Sequence, residues 1–227
     1  MIDSFVVVAD KRHPMPFVRL ELVVLSVVDG ELNVLLSHRK EAPHKGKWGL
    51  PGGVLRIDTD ISLEAGAQRV ANERLGRELP NLTQVISVGG ADRDPRAPWA
   101  LSVVYRCLAD NHLETSPGKR VEALAWQPCS EVAQKGKLAF DHAGLIAMAV
   151  TSTQREIREL RFPQGWLPEA LTLAELQAMS EAVIGAPLDK VTFRRRVDAS
   201  GIAQAIDGQT KMAGAHRPAQ LYALTPV

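Results

Sequence analysis

The chain has 227 residues, of which 45% are hydrophobic and 23% are charged, and its formal net charge is +1 at pH 7. This is an ordinary globular composition, long enough for one large domain or two small ones, and its charge excludes a chain-wide attraction to nucleic acid or membranes. The most apolar stretch, VRLELVVLSVV, contains two charges and falls short of the ~20 residues of a membrane span. With no signal-peptide pattern in MIDSFVVVADKRHP, we expect a cytoplasmic protein without a membrane partner.

The first half of the chain has the pattern of strands followed by a helix. Two β-branched runs flank Asp29-Gly30, which predicts a hairpin because the turn requires positive φ. The Gly/Pro-rich run KEAPHKGKWGLPGG predicts a loop. Residues 62–75 have helical spacing, with Ser62 as the N-cap and Gly76 at the C-terminal end.

Three strand-like runs follow, LTQVISVGG, WALSVVYRCLA and VEALAWQPC, and then a helix over about 140–160. Strands packed with helices predict an α+β domain over 1–160. Cys107 and Cys129 match no metal-ligand spacing, so we expect reduced thiols in small buried side chains.

The stretch from Gly52 to Gly76 resembles the Nudix motif Gx5Ex7REUxEExGU, in which U is a bulky aliphatic residue. Arg69 matches its arginine, Glu73 matches the first glutamate of its EE pair, and KGKWGLPGG is similar to the strand and turn that precede the motif. The resemblance implies a Nudix α/β/α sandwich. In that family the loop and helix hold divalent cations against a nucleoside diphosphate linked to another group.

The helix departs from this motif where metal ligands are needed. Val70, Ala71 and Arg74 replace a glutamate, an aliphatic residue and a glutamate, and Ile61 falls at the first glutamate of a loop about two residues too long. Positions 70, 73 and 74 share one helix face, which offers a single carboxylate to a cation that prefers octahedral oxygen ligands. We therefore predict no metal site, no required cofactor and no catalytic residue. Glu73 would act, with Mg²⁺, only if the protein hydrolyses its ligand.

A phosphate pocket can survive without metal, because guanidinium groups bind phosphate in a bidentate manner. Arg74 is expected to pair with Glu73 or with a phosphate. Arg69 is expected to pair with a glutamate of the helix, as it often does in Nudix proteins, and solvated surface charges remain an alternative for each cation. Arg96 joins Arg93 in the run RDPR. The predicted ligand-binding residues are Arg39, Lys45, Arg56, Arg69, Glu73, Arg74 and Arg93.

Residues 161–227 have the order of a winged helix-turn-helix domain. Thr172 and Glu175 predict a capping box on a helix that ends at Gly185, and Asp189 can cap a second helix that ends at Gly201. The runs IAQAI and AQLYAL then bracket a polar loop, DGQTKMAGAHRP. Helix, turn, helix and hairpin in this order predict DNA binding through the second helix.

The charge of the second helix and its hairpin supports that prediction. Residues 189–217 contain six Lys and Arg against three Asp, on a chain that is otherwise balanced. Phe193 and Val197 are four apart and should face the core, which leaves the basic residues outward. The predicted DNA contacts are Lys190, Thr192, Arg194, Arg195, Arg196, Lys211, His216 and Arg217.

Both halves resemble the Nudix-related transcriptional regulators. The segments that carry the resemblance are LDKVTFRRRVDASG, AHRPAQLY and SLEAGAQRV, the last of which belongs to the degenerate Nudix motif. The resemblance implies a bacterial repressor of NAD-metabolism genes that senses ADP-ribose or a related nucleotide. We expect a homodimer on palindromic double-stranded operator DNA, with RELRFPQGW as the hinge. The alternatives are a Nudix hydrolase of ADP-ribose or a similar nucleotide, and a sugar-responsive regulator of the same architecture. The operator, the effector and the direction of its effect are left open.

Overall fold

The structure is a computed structural model that describes residues 16–110, 112–135, 138–212 and 218–225. The N-terminal part contains β1 (Phe17–Val28), β2 (Glu31–Arg39), β3 (Trp48–Gly49), β4 (Gly52–Val54), α1 (Leu63–Leu75), β5 (Thr83–Asp94), β6 (Ala97–Ala109), β7 (Val121–Pro128), α2 (Cys129–Lys135) and α3 (His142–Arg158). The C-terminal part contains α4 (Leu173–Ile184), α5 (Lys190–Ser200), β8 (Ala203–Lys211) and β9 (Ala219–Leu224). No described helix is both long and apolar enough to span a membrane.

The seven strands of the N-terminal part form one mixed sheet. Its order is β3-β2-β1-β6-β5, with β4 paired to β1 and β7 paired to β2, and β1 and β6 run parallel. Asp29 and Gly30 have φ values of 50° and 79° at the turn between β1 and β2, which confirms the predicted hairpin.

Alternation along β1 sends side chains to opposite faces of the sheet. Leu20 and Leu22 pack with α1 on one face, whereas Val23 and Leu25 pack with α3 on the other. Because both faces are covered by helices, the expected α/β/α sandwich is confirmed.

The local signals for the helix that follows the glycine-rich loop are also confirmed. Ser62 accepts a hydrogen bond from the amide of Ala65 at 3.1 Å, and Gly76 ends α1 with φ of 72°. The last helix, α3, lies within the predicted 140–160. The run VEALAWQPC is strand only as far as Pro128, because Cys129 begins the short helix α2. Both cysteines are free, as expected.

The C-terminal part is a winged helix with the predicted caps. Thr172 and Glu175 form the capping box, and Asp189 accepts a hydrogen bond from the amide of Thr192 at the start of α5. Two backbone hydrogen bonds between Leu171 and Tyr222 add a third, one-residue strand to the β8–β9 hairpin. The predicted loop is partly wrong, because residues 207–211 continue β8 past a register shift.

Helix α4 belongs to two hydrophobic cores at once. Val183 and Ile184 pack into the N-terminal core with Trp166, which is 1% exposed, whereas Leu176 packs with Phe193 of α5. The segment 158–166, in which we predict a hinge, is therefore anchored in the N-terminal core at its Trp166 end.

Candidate functional site: an arginine-lined pocket and a basic helix

A pocket opens where the end of β2, the β3–β4 segment and the C-terminal half of α1 meet. Its charged lining consists of five arginines and one carboxylate: Arg19, Arg39, Arg74, Arg96, Arg120 and Glu41. An excess of guanidinium groups on the wall of a cleft creates a positive potential that attracts anions. The pocket therefore suits a ligand with more than one negative charge.

Arg39 and Arg74 are held by hydrogen bonds to backbone carbonyls. Arg39 donates to the carbonyl of Pro43 at 2.9 Å, and Arg74 donates to the carbonyls of Gly52 at 2.9 Å and Lys119 at 2.6 Å. Neither forms an ion pair with a carboxylate among the described residues. Burial lowers the pKa of Arg39 to about 10 and also lowers the pKa of Arg74. A partly desolvated cation gains free energy when an anion binds beside it.

The other arginines of the lining have carboxylate partners. Arg19 donates to Glu21 at 2.5 Å, Arg96 holds Asp94 in a bidentate pair, and Arg120 pairs with Glu41 at 3.0 Å at the exposed rim. Burial would lower the pKa of Arg19, but the charge of Glu21 outweighs it and raises the pKa. These arginines shape the pocket, and Arg39 and Arg74 are its free cations.

A buried polar cluster supports the pocket from below. Glu21 is 1% exposed, and its Oε2 lies 3.8 Å from Nε2 of His142, whose Nδ1 accepts a hydrogen bond from the amide of Leu50 at 2.8 Å. Burial would raise the pKa of Glu21, but Arg19 and His142 lower it to about 2. A Cβ on Gly52 would lie 1.9 Å from Oε2 of Glu21, so only glycine fits there.

The face of α1 that aligns with the Nudix metal ligands does not fit a divalent cation. Val70 is fully buried, and a Cβ on Gly53 would lie 2.7 Å from its Cγ2. Arg56 donates to both carboxylate oxygens of Glu73, at 2.8 and 3.0 Å. At the third position of this face, where the motif has a glutamate, Arg74 places a positive charge. In the described ranges, no group of three or more His, Cys, Asp or Glu side chains is arranged to hold a metal.

The ion pairs around Glu73 bear on the partners expected for two arginines. Of the two partners expected for Arg74, Glu73 is occupied by Arg56, which leaves the phosphate as the remaining prediction. Arg69 donates to both oxygens of Asp60 at 2.7 Å and lies 3.5 Å from Glu73, so a glutamate of the helix is its second partner only. Arg56, Arg69 and Glu73 thus form an internal ion-pair cluster with Asp60, outside the pocket lining.

The remaining predicted ligand residues lie elsewhere. Lys45 is exposed on its loop and does not line the pocket. Arg93 donates to Asp141 and to the carbonyl of Val88, and it lines a smaller neighbouring cavity that also contacts Arg19. Of the predicted set, only Arg39 and Arg74 line the pocket. Sequence reasoning missed Arg19 and Arg120; the available signal was a charged pair, Arg19 and Glu21, on one face of an otherwise apolar strand.

A second candidate site is the outer face of α5. Phe193 and Val197 are buried against α4 and the small sheet, as expected. Four of the predicted DNA contacts on this helix are exposed: Lys190, Thr192, Arg194 and Arg195. Arg196 differs, because it donates to the backbone carbonyl of Arg158 at the C-terminus of α3. A guanidinium at that end of a helix is favoured by the partial negative charge of its unpaired carbonyls.

The wing contributes one described basic residue. Nζ of Lys211 lies 2.5 Å from Oε1 of Glu175, so the capping-box carboxylate also ties β8 to the start of α4. The predictions for His216 and Arg217 lie outside the described residues.

Comparison with known proteins matches both parts of the chain. Residues 19–149 match the NUDIX domain family, and residues 164–224 match the NrtR DNA-binding winged helix domain. The ADPR responsive transcriptional repressor NtrR of Acinetobacter baylyi is 38% identical over 92% of this chain and 82% of its own length.

Two solved structures of Shewanella oneidensis NrtR are 32% identical to the chain. One holds NrtR with a 27mer DNA and matches with a TM-score of 0.77 over 92% of this chain and 94% of the other. The second holds the NUDIX domain with ADP ribose and matches with a TM-score of 0.58 over 64% and 93%.

Proposed function

This chain belongs to the NrtR family of Nudix-related transcriptional regulators, and we propose that it is a repressor that binds operator DNA and responds to ADP-ribose. The winged helix binds the DNA, and the Nudix part binds the nucleotide. The observation that carries the proposal is the contrast within the Nudix part: free cations in the pocket beside a helix face unsuited to metal. The genes under its control are those of NAD metabolism, and it acts in the cytoplasm.

For DNA, the proposal rests on the exposed basic face of α5. Lys190, Arg194 and Arg195 have no ion-pair partner among the described residues, so their charge is available to phosphates and base edges. A recognition helix in the major groove uses the side chains of its N-terminal turns in this way. Relatives in this family include an S. oneidensis protein solved with DNA.

For the ligand, we propose that Arg39 and Arg74 bind the diphosphate of ADP-ribose without metal. Among the described residues each has only carbonyl groups as hydrogen-bond acceptors, and burial lowers the pKa of both, so an anionic ligand supplies a charge partner for each. Arg74 stands on the helix face where the Nudix motif has a glutamate. It thereby provides a fixed positive charge to the ligand phosphates.

We also propose a homodimer. A single short helix buries little DNA surface, and two helices related by a twofold axis bind two half-sites about one helical turn apart. Sedimentation velocity should give twice the chain mass of 24.7 kDa. A monomer that binds the operator with full affinity would exclude this part of the proposal.

One titration tests the central proposal. The full-length protein is first used to enrich a binding sequence from a randomised duplex pool, and fluorescence anisotropy then measures its affinity with and without ADP-ribose in EDTA. We expect specific, salt-sensitive binding whose affinity changes with ADP-ribose although no metal is present. Binding that does not respond to the nucleotide would remove the sensor role, and failure to enrich a sequence would remove the repressor role.

The alternative, a Nudix hydrolase, is tested by AMP release from ADP-ribose in Mg²⁺. We expect only background hydrolysis, because Val70, the Arg56–Glu73 pair and Arg74 leave the helix without a set of oxygen ligands for the cation. Mg²⁺-dependent release abolished by Glu73→Gln would establish the hydrolase.

A further inference from the structure

Val191 is a large apolar side chain exposed on the helix that we assign to DNA. It lies on the first turn of α5, two residues after the N-cap Asp189, and 75% of its surface is accessible. The buried face of the helix is set by Phe193 and Val197. At 100° per residue, Val191 projects almost opposite that face, beside Arg195 one turn further along.

Among the described residues, this position adds little to the packing of the domain. A β-branched residue has a lower helix propensity than alanine or lysine, and an exposed apolar surface on a helix gains no hydrophobic stabilisation. Its side chain is placed on the same outward surface as Thr192 and Arg195, both of which are exposed. The described part of the folded chain therefore provides no reason for valine at this position.

The major groove provides a reason. The edges of its base pairs present hydrogen-bond donors and acceptors and one apolar group, the C5-methyl of thymine. Val191 lies between two cations, Lys190 on one side and Arg195 on the other. The cations are complementary to the two phosphate backbones of the groove, and the apolar side chain is complementary to a methyl group between them. We propose that Val191 determines specificity by contacting a thymine methyl group of the operator. This inference rests on the proposed function, since it requires that α5 enters the groove.

The test removes the methyl group of thymine from the DNA and, separately, the methyl groups of Val191 from the protein. The operator is enriched from a random pool by the wild-type protein, and each thymine is then replaced singly by deoxyuridine, which lacks only the C5-methyl. Losing one buried methyl group costs a factor of about three to five in affinity. We expect this loss at one thymine per half-site for the wild type, and a smaller loss at the same position for Val191→Ala, which lacks both γ-methyl groups.

Two further variants separate the contact from an effect on folding. Val191→Thr keeps the branched shape and one of the two γ-methyl groups, so its discrimination between thymine and deoxyuridine should lie between those of the wild type and Val191→Ala, while the melting temperature is retained. Ile61→Ala, at an isoleucine 95% exposed in the Nudix part, is the matched control and should discriminate as the wild type does.

The outcomes are distinct. Equal discrimination by the wild type and Val191→Ala, or no thymine whose methyl group matters, would overturn the inference while the repressor proposal stands. Failure of the wild type to enrich any sequence would overturn both.

Discussion

Arg56, on the loop before α1, donates two hydrogen bonds to Glu73 of that helix, at 2.8 and 3.0 Å. The pair places a guanidinium on the one carboxylate that the Nudix-like helix face retains. Because Arg69 also lies 3.5 Å from the same carboxylate, Glu73 is surrounded by cations that belong to the protein. A carboxylate in this state stabilises the loop and is not available as a ligand for a divalent ion.

Glu73→Gln therefore should not impair ligand binding. We expect the Kd for ADP-ribose to change less than about threefold, in EDTA and in Mg²⁺ alike, because the removed charge faces Arg56 and not the ligand. Isothermal titration calorimetry measures both values. A large loss seen only in Mg²⁺ would indicate a metal held by Glu73 and would contradict the arrangement described above.

Arg39→Ala and Arg74→Ala should each weaken ADP-ribose binding by about ten- to a hundredfold, since a hydrogen bond to a charged group contributes roughly 1.5–3 kcal/mol. Calorimetry on the full-length protein measures the change. Lys45→Ala is the control, because Lys45 is cationic but lies outside the pocket lining, and its affinity should equal that of the wild type. Equal losses in all three variants would mean that the effect is a general loss of positive charge.

Val70→Glu combined with Arg74→Glu restores the two carboxylates that the helix lacks relative to the Nudix motif, and the variant should bind metal at a cost in stability. In EDTA we expect a lower melting temperature than that of the wild type, because Val70 is fully buried against Gly53 and a carboxylate there is desolvated. Mn²⁺ should recover part of the loss in the double variant and leave the wild type unchanged. If Mn²⁺ has no effect on the double variant, the helix is misaligned with the motif.

Salt dependence separates the arginines of α5. Removing a cation that contacts phosphate lowers the slope of log affinity against log salt by about one. We expect this for Arg194→Ala and Arg195→Ala, but not for Arg196→Ala, whose guanidinium is held by the carbonyl of Arg158. Arg196→Ala should instead weaken the response of DNA binding to ADP-ribose, because it removes a contact between the two parts of the chain. Anisotropy titrations at four salt concentrations, with and without ligand, distinguish the two effects.

Acid should destabilise the N-terminal part through Glu21. Its pKa is about 2 in the folded protein, below its ordinary value of 4.5, so its ionised form contributes stability that is fully present above pH 4.5 and is lost as the pH falls toward 2. Urea unfolding between pH 5 and pH 3 should show a free energy of unfolding that falls with pH. Glu21→Gln should be less stable at pH 7, because Arg19 loses its partner, but its stability should vary less over that interval.

Sequence was sufficient for features that a few neighbouring residues determine. The turn at Asp29-Gly30, the cap at Ser62 and the capping box of Thr172 and Glu175 depend on backbone geometry within four residues, and each is found as expected. The pattern of buried residues on α5 follows from its period in the same way.

Ion-pair partners could not be predicted in this way, because each arginine has several carboxylates within reach and the fold selects among them. Arg69 pairs with Asp60 on the elongated loop. Because Arg56 pairs with Glu73, Arg74 donates to backbone carbonyl groups instead. Arg120 reaches the pocket only because β7 pairs with β2. Arg19 lies in a strongly hydrophobic strand, so the sequence did not indicate that its side chain lines the pocket.

Because α4 contributes side chains to both hydrophobic cores, the winged helix of this protein cannot be exchanged as an independent domain. In a chimaera joined within 158–166, Val183 and Ile184 would no longer face the N-terminal core against which they pack. Both the N-terminal part and the transferred winged helix would then expose apolar surface. A junction beyond Gly185 would divide the other core instead, because Leu176 of α4 packs with Phe193 of α5.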